Sequence, residues 1–274
     1  MTAPVLNPQP EPEPELAADR SVRPSAPALG LVTIGQAPRA DLRPDAEPLL
    51  PGVRLVEHGA LDGERFDGPA EQETRRLLAP EPGEAPLVTR LRDGGSVMLG
   101  HTALVPRIER AVARAERDGA AATLLLCTGH FPAVRADRPL LYAEPLVLRG
   151  VAAAVGSDPV GIVCPHPDQA EDATRRWSDV LSGEVRAAPA NPYAPPEQAL
   201  DEVAAAARAL AEAGSSWIVL DCIGYTERMR EAAVRAAGRP VLLARAIAVR
   251  MAGEVVAAFG RPAETSAARP GSGS

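Results

Sequence analysis

The sequence predicts an α/β protein built from two similar lobes, each with a mostly parallel sheet. Short apolar runs alternate along the chain with longer amphipathic segments, which is the pattern of βαβ units. Runs such as TLLLC and WIVLD are apolar at nearly every position, as strands buried on both faces of a parallel sheet require. An amphipathic segment, a glycine and a buried strand ending near a cysteine occur twice, as ERDGAAATLLLCTG and AEAGSSWIVLDCIG. This repeat indicates two lobes of the same design.

The individual elements follow in chain order. ALGLVTIG, GVRLVEHGAL and APLVTRLRDG are predicted as the first three strands, the third ending in a turn at Asp93-Gly94-Gly95. ALVPRIERAVARAERDG is predicted as a helix because Ile108, Val112 and Ala115 share one face and Gly119 ends it. Strands AATLLLCTG and VGIVCPH, helix PEQALDEVAAAARALAEAG, strand SSWIVLDCIG and helix ERMREAAVRAAG come next. The last segment, PVLLARAIAVRMAGEVVAAFG, either begins as a strand or is one long helix.

These elements also predict the domain organisation. Residues 1–27 alternate Pro and Glu, and residues 262–274 are similarly low in apolar content, so both are predicted to be disordered tails. Residues 28–148 are assigned to the first lobe and residues 149–239 to the second. The helix predicted within 240–261 is expected to pack back on the first lobe.

Composition excludes several classes of function. The net charge of −7 argues against nucleic acid as a partner. No run of about 18 apolar residues is present for a membrane span, and no signal-peptide pattern opens the chain, so a cytoplasmic location is expected. All 29 residues counted as Lys or Arg are arginine, which excludes lysine Schiff-base and P-loop chemistry.

Cofactor and metal motifs are also missing from the sequence. No GxGxxG follows the first strand, which disfavours NAD. The four histidines are scattered and neither CxxC nor HExxH occurs, which argues against a zinc site. Three widely spaced cysteines do not form a disulfide framework and are expected to be thiols. We therefore predict no cofactor and no metal.

Two of the cysteines are the strongest candidates for chemistry. Ligands of open α/β sheets bind outside the carboxyl ends of the strands, where Cys127-Thr128-Gly129 and Cys222-Ile223-Gly224 are predicted to lie. The helix after the second turn has free N–H groups that can hold an anion and favour a thiolate. A single cysteine would more simply be a buried small apolar residue, but the equivalent positions favour function. Cys164, before Pro165, is predicted to be structural.

Each of the other polar residues near strand ends has two interpretations, one functional and one structural. Gln36 and Arg39 follow the first strand, and Arg39 either clamps a carboxylate or is a surface arginine. Arg90 and Arg92 share one face if the third strand continues through them, and that face is either solvated or lines the cleft. Asp221 would raise the pKa of the neighbouring thiol if it faced it.

The loops after the two cysteines offer further candidates. Thr128 and Thr226 can donate hydrogen bonds to a carboxylate, although turn residues also have structural roles. Tyr225 either contributes a phenol to the cleft or covers a helix. His130 either serves Cys127 as a proton partner or is solvated. Asn191-Pro192-Tyr193 is predicted to be a turn.

Several of these segments together resemble the AroM family, over about residues 29 to 252: TIGQAPR, GALDG, LVTRLRDG, LLLCTGHFP, NPY and VLDCIGYTERMR. That family is in turn similar to the aspartate/glutamate/hydantoin racemase superfamily. The resemblance implies two Rossmann-like lobes related by a pseudo-twofold axis, with one cysteine from each lobe facing across a cleft. It further implies that one thiolate removes the α-proton of a carboxylate substrate and the other thiol reprotonates the opposite face, without a cofactor.

The resulting hypothesis is a racemase or isomerase that acts on a small, amino-acid-like carboxylate, with Cys127 and Cys222 as the catalytic pair. A homodimer is compatible with the fold. Two alternatives stay open: a lyase or decarboxylase with one essential cysteine, and a non-catalytic protein that binds or senses a small carboxylate. The substrate-binding residues assigned under this hypothesis are Gln36, Arg39, Arg90, Thr128, Gly129, Gly224, Tyr225 and Thr226.

Overall fold

The computed structural model describes residues 26–259, in which two four-stranded parallel sheets are the main feature. The tails predicted at 1–27 and 262–274 lie outside the described residues, apart from residues 26 and 27. The first sheet consists of β1 (Ala28–Thr33), β2 (Arg54–Gly59), β5 (Ala122–Leu126) and β6 (Leu140–Tyr142), in the order β2-β1-β5-β6. The second consists of β7 (Val160–Cys164), β8 (Val185–Pro189), β9 (Trp217–Leu220) and β10 (Val241–Leu243), in the order β8-β7-β9-β10.

The two sheets repeat one topology. In each of them the strands, counted along the chain, lie in the order second, first, third, fourth. Each third strand is preceded by a 17-residue helix, α3 (His101–Arg117) or α6 (Pro196–Glu212). Gly119 and Gly214 follow these helices with φ of 87° and 100°, a left-handed backbone that glycine adopts without a Cβ clash. The internal repeat predicted from the sequence is therefore present in the fold, and β5 and β9 are equivalent strands.

The remaining helices connect and cover these sheets. A short antiparallel hairpin, β3 (Leu87–Arg90) and β4 (Ser96–Leu99), forms a separate two-stranded sheet, and the turn at Asp93-Gly94-Gly95 reverses the chain between its strands. The other helices are α1 (Arg43–Ala46), α2 (Glu71–Leu78), α4 (Ala143–Val155), α5 (Ala170–Ser178), α7 (Glu227–Ala237) and α8 (Ala244–Phe259). None of the helices described is long and apolar enough to cross a membrane.

The apolar core has three parts, and the central one joins the two sheets. Leu31 and Leu124 of the first sheet share a cluster with Ile162 and Val219 of the second, and Trp177 is fully buried in it. Separate clusters fill the outer faces, beneath α3 on the first sheet and beneath α6 and α7 on the second. Strands β1, β5 and β7 are buried along their whole length, as parallel strands covered on both faces must be.

The last segment of the chain resolves the choice left open by its sequence. It begins as strand β10, which pairs with β9, and continues as α8 from Ala244 rather than as a helix from residue 240. Helix α8 packs against α4, β5 and β1, on the side of the first sheet. The lobe boundaries at 148/149 and 239/240 stay predictions.

Candidate active site

A cavity of about 630 Å³ lies at the carboxyl ends of the strands. The turns after the equivalent strands β5 and β9 line it, and they bring Cys127 and Cys222 to one space. Cys164, at the end of β7, lines it as well. A volume of this size suits a small molecule.

The two cysteine turns have the same local geometry. The Gly129 N–H donates a hydrogen bond to Cys127 Sγ with an N···S distance of 3.4 Å. The Gly224 N–H donates to Cys222 Sγ at 3.3 Å. In both turns the donor is the residue two positions after the cysteine, so the equivalence of the strands extends to the contacts of the sulfur atoms.

The surroundings of the two sulfur atoms differ. On the first turn, Gly129 packs against the Leu87 side chain and the edge of the His101 ring, and His101 contacts Phe131 with ring centroids 5.2 Å apart. At the second turn, the Tyr193 hydroxyl lies 3.8 Å from Cys222 Sγ, within hydrogen-bonding range for sulfur. The cavity is therefore more apolar beside Cys127 and more polar beside Cys222.

Burial dominates the acidity of both thiols. Desolvation raises the pKa of Cys127 to about 12, against a smaller opposing effect of the Gly129 N–H. Burial also raises the pKa of Cys222, while the Gly224 N–H, the Tyr193 phenol and the Arg39 charge act in the opposite direction and Asp221 adds to the rise. Both cysteines are therefore predominantly thiols at neutral pH.

Arg176 and Asp221 connect the two turns across the cavity. Arg176 Nη1 donates to the Thr128 carbonyl at 3.2 Å, and its Nη2 donates to Asp221 Oδ2 at 3.1 Å. Thr128 Oγ1 donates to the Asp221 carbonyl at 3.2 Å. Trp177 Nε1 donates to Asp221 Oδ2 at 2.8 Å. The residues that flank the cysteines are thus held in one hydrogen-bonded network.

The rim of the cavity carries a second connection between the halves of the molecule. Gln169, just before α5, donates through Nε2 to the carbonyl of Pro86, just before β3, at 2.7 Å. His130 also lies at the rim, with its Nδ1 3.1 Å from Glu144 Oε2, and its side chain is mostly exposed.

A fully buried arginine holds the second turn from behind. Arg245, near the start of α8, donates through Nε to the Ile223 carbonyl at 2.8 Å and through Nη2 to the Gly224 carbonyl at 3.4 Å. Its Nη1 donates to Asp45 Oδ2 at 2.8 Å, and its Nη2 contacts Asp41 Oδ2 at 3.2 Å. These contacts tie the Cys222 turn to the loop and short helix that follow β1.

Arg39 reaches the cavity, but its main partner belongs to the protein. Its Nε and Nη2 each donate to Asp41 at 2.7 Å, one bond to each carboxylate oxygen. Although burial raises it, these bonds hold the pKa of Asp41 below its usual value. The carbon centre of the guanidinium lies 5.9 Å from the Tyr193 ring centroid. The fork expected to clamp a ligand carboxylate is therefore occupied by Asp41.

Five of the predicted substrate-binding residues do not line the cavity, namely Gln36, Arg90, Gly224, Tyr225 and Thr226. The amide group of Gln36 joins neighbouring loops, accepting from the Arg92 N–H and donating to the Glu64 carbonyl. The Tyr225 hydroxyl donates to the Ala190 carbonyl at 2.7 Å inside the core. Thr226 caps α7 by accepting from the Met229 N–H.

The prediction that Arg90 and Arg92 share one face of the third strand is wrong. Strand β3 ends at Arg90, so Arg92 lies in the turn, where its Nε donates to the Ala37 carbonyl at 3.0 Å. The strand is too short to carry both side chains because the Leu91 N–H already closes the turn on the Gly95 carbonyl.

Among the backbone N–H groups at the cavity that have no acceptor within residues 26–259 are those of Thr128 and Ile223, each directly after one of the two cysteines. Both residues are buried, so an unpaired N–H there is costly unless a ligand accepts from it.

Tyr193 was predicted only as part of a turn, and neither Arg176 nor Arg245 was among the residues predicted for the site. Tyr193 follows the carboxyl end of β8, and a search for polar residues at every predicted strand end would have found it had β8 itself been recognised. Arg176 and Arg245 act from helices, among 29 arginines in the chain, and nothing local distinguishes them.

Replacing Gly224 with alanine is expected to displace Tyr193. An added Cβ would lie 2.6 Å from the Tyr193 hydroxyl oxygen and 2.7 Å from Cζ. Overpacking of this kind costs about 1–3 kcal/mol. We expect the free energy of unfolding of Gly224→Ala to fall by that amount in urea titrations. Gly214→Ala, whose added Cβ would meet open space, is expected to show only the backbone cost of its φ. Equal stability of Gly224→Ala and the wild type would mean that the ring is not held against the turn.

Comparisons with known proteins agree with this architecture. The family model of the AroM protein matches residues 29–256. Unliganded arylmalonate decarboxylase is similar with a TM-score of 0.55 and 17% identity, over 89% of this chain and 96% of that chain. Aspartate racemase of Picrophilus torridus has a TM-score of 0.56 and 11% identity, over 84% and 94%.

A third similar structure is glutamate racemase from Francisella tularensis subsp. tularensis SCHU S4 in complex with D-glutamate. Its TM-score is 0.53 at 10% identity, over 86% of this chain and 82% of that chain. The search of curated proteins gave no match. At these identities the likeness is one of fold, and the predicted racemase-superfamily architecture is confirmed at that level.

Proposed function

Since the chain belongs to the AroM protein family, we propose that it is a cofactor-independent racemase or isomerase of a small, amino-acid-like carboxylate. Cys127 and Cys222 are the proposed acid–base pair. The observation that carries the proposal is their equivalence: both follow third strands, both line one cavity, and each sulfur accepts the N–H two residues later. A cytoplasmic location and a homodimeric state stay predictions.

The proposed step is proton transfer at the α-carbon. One cysteine thiolate takes the α-proton, so that a C–H bond breaks, an S–H bond forms and the electron pair moves into the adjacent carboxylate to give an enediolate. The other thiol then gives its proton to the opposite face, so that its S–H bond breaks and a new C–H bond forms. The product is the mirror-image carbon centre, and the protonation states of the two cysteines are exchanged.

The enediolate needs donors placed in advance. The N–H groups of Thr128 and Ile223 serve this role in the proposal, because they lie beside the two thiols and have no acceptor among the described residues. Thr128 and Gly129 keep their proposed part in the substrate site, since both line the cavity. Arg39 contributes its positive charge rather than a bidentate pair of hydrogen bonds, because two of its N–H groups already donate to Asp41.

The pH dependence of the proposed reaction follows from the buried thiols. Their pKa values are raised, that of Cys127 to about 12, so the reactive thiolate forms only as the pH increases towards those values. Below the lower of the two pKa values, the thiolate fraction increases about tenfold per pH unit. We expect the rate of α-proton exchange to increase accordingly between about pH 6 and pH 8. A rate that is constant over that interval would contradict this expectation.

Solvent deuterium exchange tests the proposal. The protein is mixed in D₂O with L- and D-amino acids, hydantoins and small dicarboxylates, and the α-proton is followed by NMR. We expect α-proton loss from at least one compound, with both enantiomers converging on the same mixture. No exchange with any compound, together with an increase in the melting temperature for one of them, would favour the binding protein instead.

A one-cysteine decarboxylase is the second candidate function. The likeness to arylmalonate decarboxylase favours it, and the unequal surroundings of the two sulfur atoms are compatible with it. It differs from the first candidate in its product, because a carboxyl group leaves as CO₂ and only one proton is delivered. The same NMR samples detect it as the conversion of a dicarboxylate into a monocarboxylic acid with its own proton signals.

A further inference from the structure

The two sulfur atoms share one type of partner and differ in another. Each accepts a backbone N–H, from Gly129 or from Gly224. Only Cys222 also has a side-chain partner, the Tyr193 hydroxyl at 3.8 Å. Among residues 26–259, no side chain makes a hydrogen bond to Cys127 Sγ. Two equivalent acid–base groups would not require a side-chain partner on only one sulfur, so the contact between Tyr193 and Cys222 needs an explanation.

Tyr193 is held in its position from several directions. Its N–H donates to Asn191 Oδ1 at 2.9 Å, which fixes the turn that carries it. Its ring lies against the Cα of Gly224, where any larger residue would collide with it. The Arg39 guanidinium lies near the ring, 5.9 Å from the centroid. The phenol is therefore placed on the Cys222 sulfur by contacts that do not involve the sulfur.

We infer that Tyr193 is a further catalytic residue, whose phenol donates a hydrogen bond to Cys222 and so makes Cys222 the cysteine that ionises first, as the base, with Cys127 as the acid. The inference rests on the proposed two-cysteine reaction. A hydroxyl that donates to a sulfur stabilises the thiolate more than the thiol, because hydrogen bonds to charged acceptors are the stronger ones.

The direction of this hydrogen bond follows from the acidity of the phenol. Burial, followed by the charge of Cys222, raises the pKa of Tyr193 well above its usual value, so the phenol keeps its proton while a thiolate forms beside it. The charged and titratable groups that act on Cys222 or respond to its charge are Arg39, Asp221, Tyr193, Tyr225, Cys127 and Cys164. Arg39 and Tyr193 favour the Cys222 thiolate, while Asp221 opposes it.

This assignment gives the reaction a starting direction. The Cys222 thiolate takes the proton from the face of the substrate that it meets, and the Cys127 thiol supplies a proton to the other face. The cycle ends with a Cys222 thiol and a Cys127 thiolate, and proton exchange with water restores the reactive form with a Cys222 thiolate and a Cys127 thiol. The enantiomer whose α-proton points towards Cys222 is therefore the one that this reactive form accepts.

The test is the pH dependence of alkylation by iodoacetamide, measured at each cysteine by peptide mass spectrometry. Cleavage after arginine places Cys127, Cys164 and Cys222 in three different peptides. In the wild type we expect Cys222 to be alkylated with a lower pH midpoint than Cys127. In Tyr193→Phe we expect the Cys222 midpoint to increase by about one pH unit, a tenfold slower reaction below it, with the Cys127 midpoint unchanged.

Tyr142→Phe is the matched control, because its hydroxyl bonds with the backbone at Val134 and not with a sulfur. An unchanged or lowered Cys222 midpoint in Tyr193→Phe, or an equal increase in Tyr142→Phe, overturns the inference. So does a Cys127 midpoint below that of Cys222 in the wild type, a measurement that needs no variant. Alkylation requires no turnover: a shifted midpoint without any deuterium exchange would leave the tyrosine–thiolate contact standing and reject the proposed reaction alone.

Discussion

Substitution of either Cys127 or Cys222 by serine is expected to lower the rate of α-proton exchange by about 10²–10⁴-fold, the usual contribution of one general acid or base. Serine keeps the size of the side chain and its ability to accept the Gly129 or Gly224 N–H. Its hydroxyl is a far weaker acid than a thiol, so neither half of the proton transfer proceeds at the former rate. Exchange is measured by NMR in D₂O with the compound that the wild type turns over fastest.

Cys164→Ser is the matched control for this pair. Cys164 lines the same cavity, but its Sγ faces the carbonyl groups of His166 and Ala188, at 3.6 and 3.7 Å, to which a serine hydroxyl can also donate. We expect its exchange rate to stay within about twofold of the wild type, since it takes no part in proton transfer. Full exchange activity in Cys127→Ser with loss in Cys222→Ser would reject the two-cysteine reaction and support the decarboxylase alternative.

Arg245→Met is expected to be the most destabilising single substitution of a charged residue near the site. Methionine retains most of the apolar stem but removes every donor, leaving the Ile223 carbonyl and Asp45 Oδ2 without this partner. Breaking a buried ion pair from one side costs about 3–5 kcal/mol. We expect the free energy of unfolding in urea to fall by that amount. The Cys222 turn would also lose its support from behind.

Arg250→Met tests whether the loss is specific to the buried position. Arg250 lies on the same helix, is exposed, and makes no ion pair among the described residues. Its substitution is expected to change stability by less than about 0.5 kcal/mol. If Arg245→Met were as stable as Arg250→Met, the network around Asp41 and Asp45 would not be what holds the second turn.

Most of the fold could be predicted from the sequence because its longest strands and helices have clear local patterns. Strands β1, β5, β7 and β9 are continuous apolar runs, and α3 and α6 have a helical apolar face with a terminal glycine. The weaker elements had no such signal. Strand β6 has three residues, and β8 is half-buried along most of its length with proline at its end. Helices α2 and α5 are short, with 8 and 9 residues, and each has four charged residues, so few apolar positions are left to mark a helix in the sequence.

The candidate site was predictable only where it lies next to a strong strand. Cys127, Thr128 and Gly129 follow β5, and their place in the cavity agrees with the expectation from the strand end. Tyr225 and Thr226 were assigned to the cleft by the same rule. They turn away because the chain enters α7 there: one side chain fills the core and the other caps the helix. The partner of Arg39 could not be predicted either, since the sequence does not show whether its guanidinium binds Asp41 or a ligand.

The network between the two turns limits how the protein can move. Thr128 Oγ1 and Arg176 join the Cys127 turn to Asp221, directly before Cys222, through three hydrogen bonds, whereas a single bond joins Gln169 to the Pro86 carbonyl. A motion that opens the cavity while the three bonds persist must therefore begin at the contact between Gln169 and Pro86. We expect the spacing of the two cysteine turns to change little when a ligand binds, so that the site selects among carbon centres by their width.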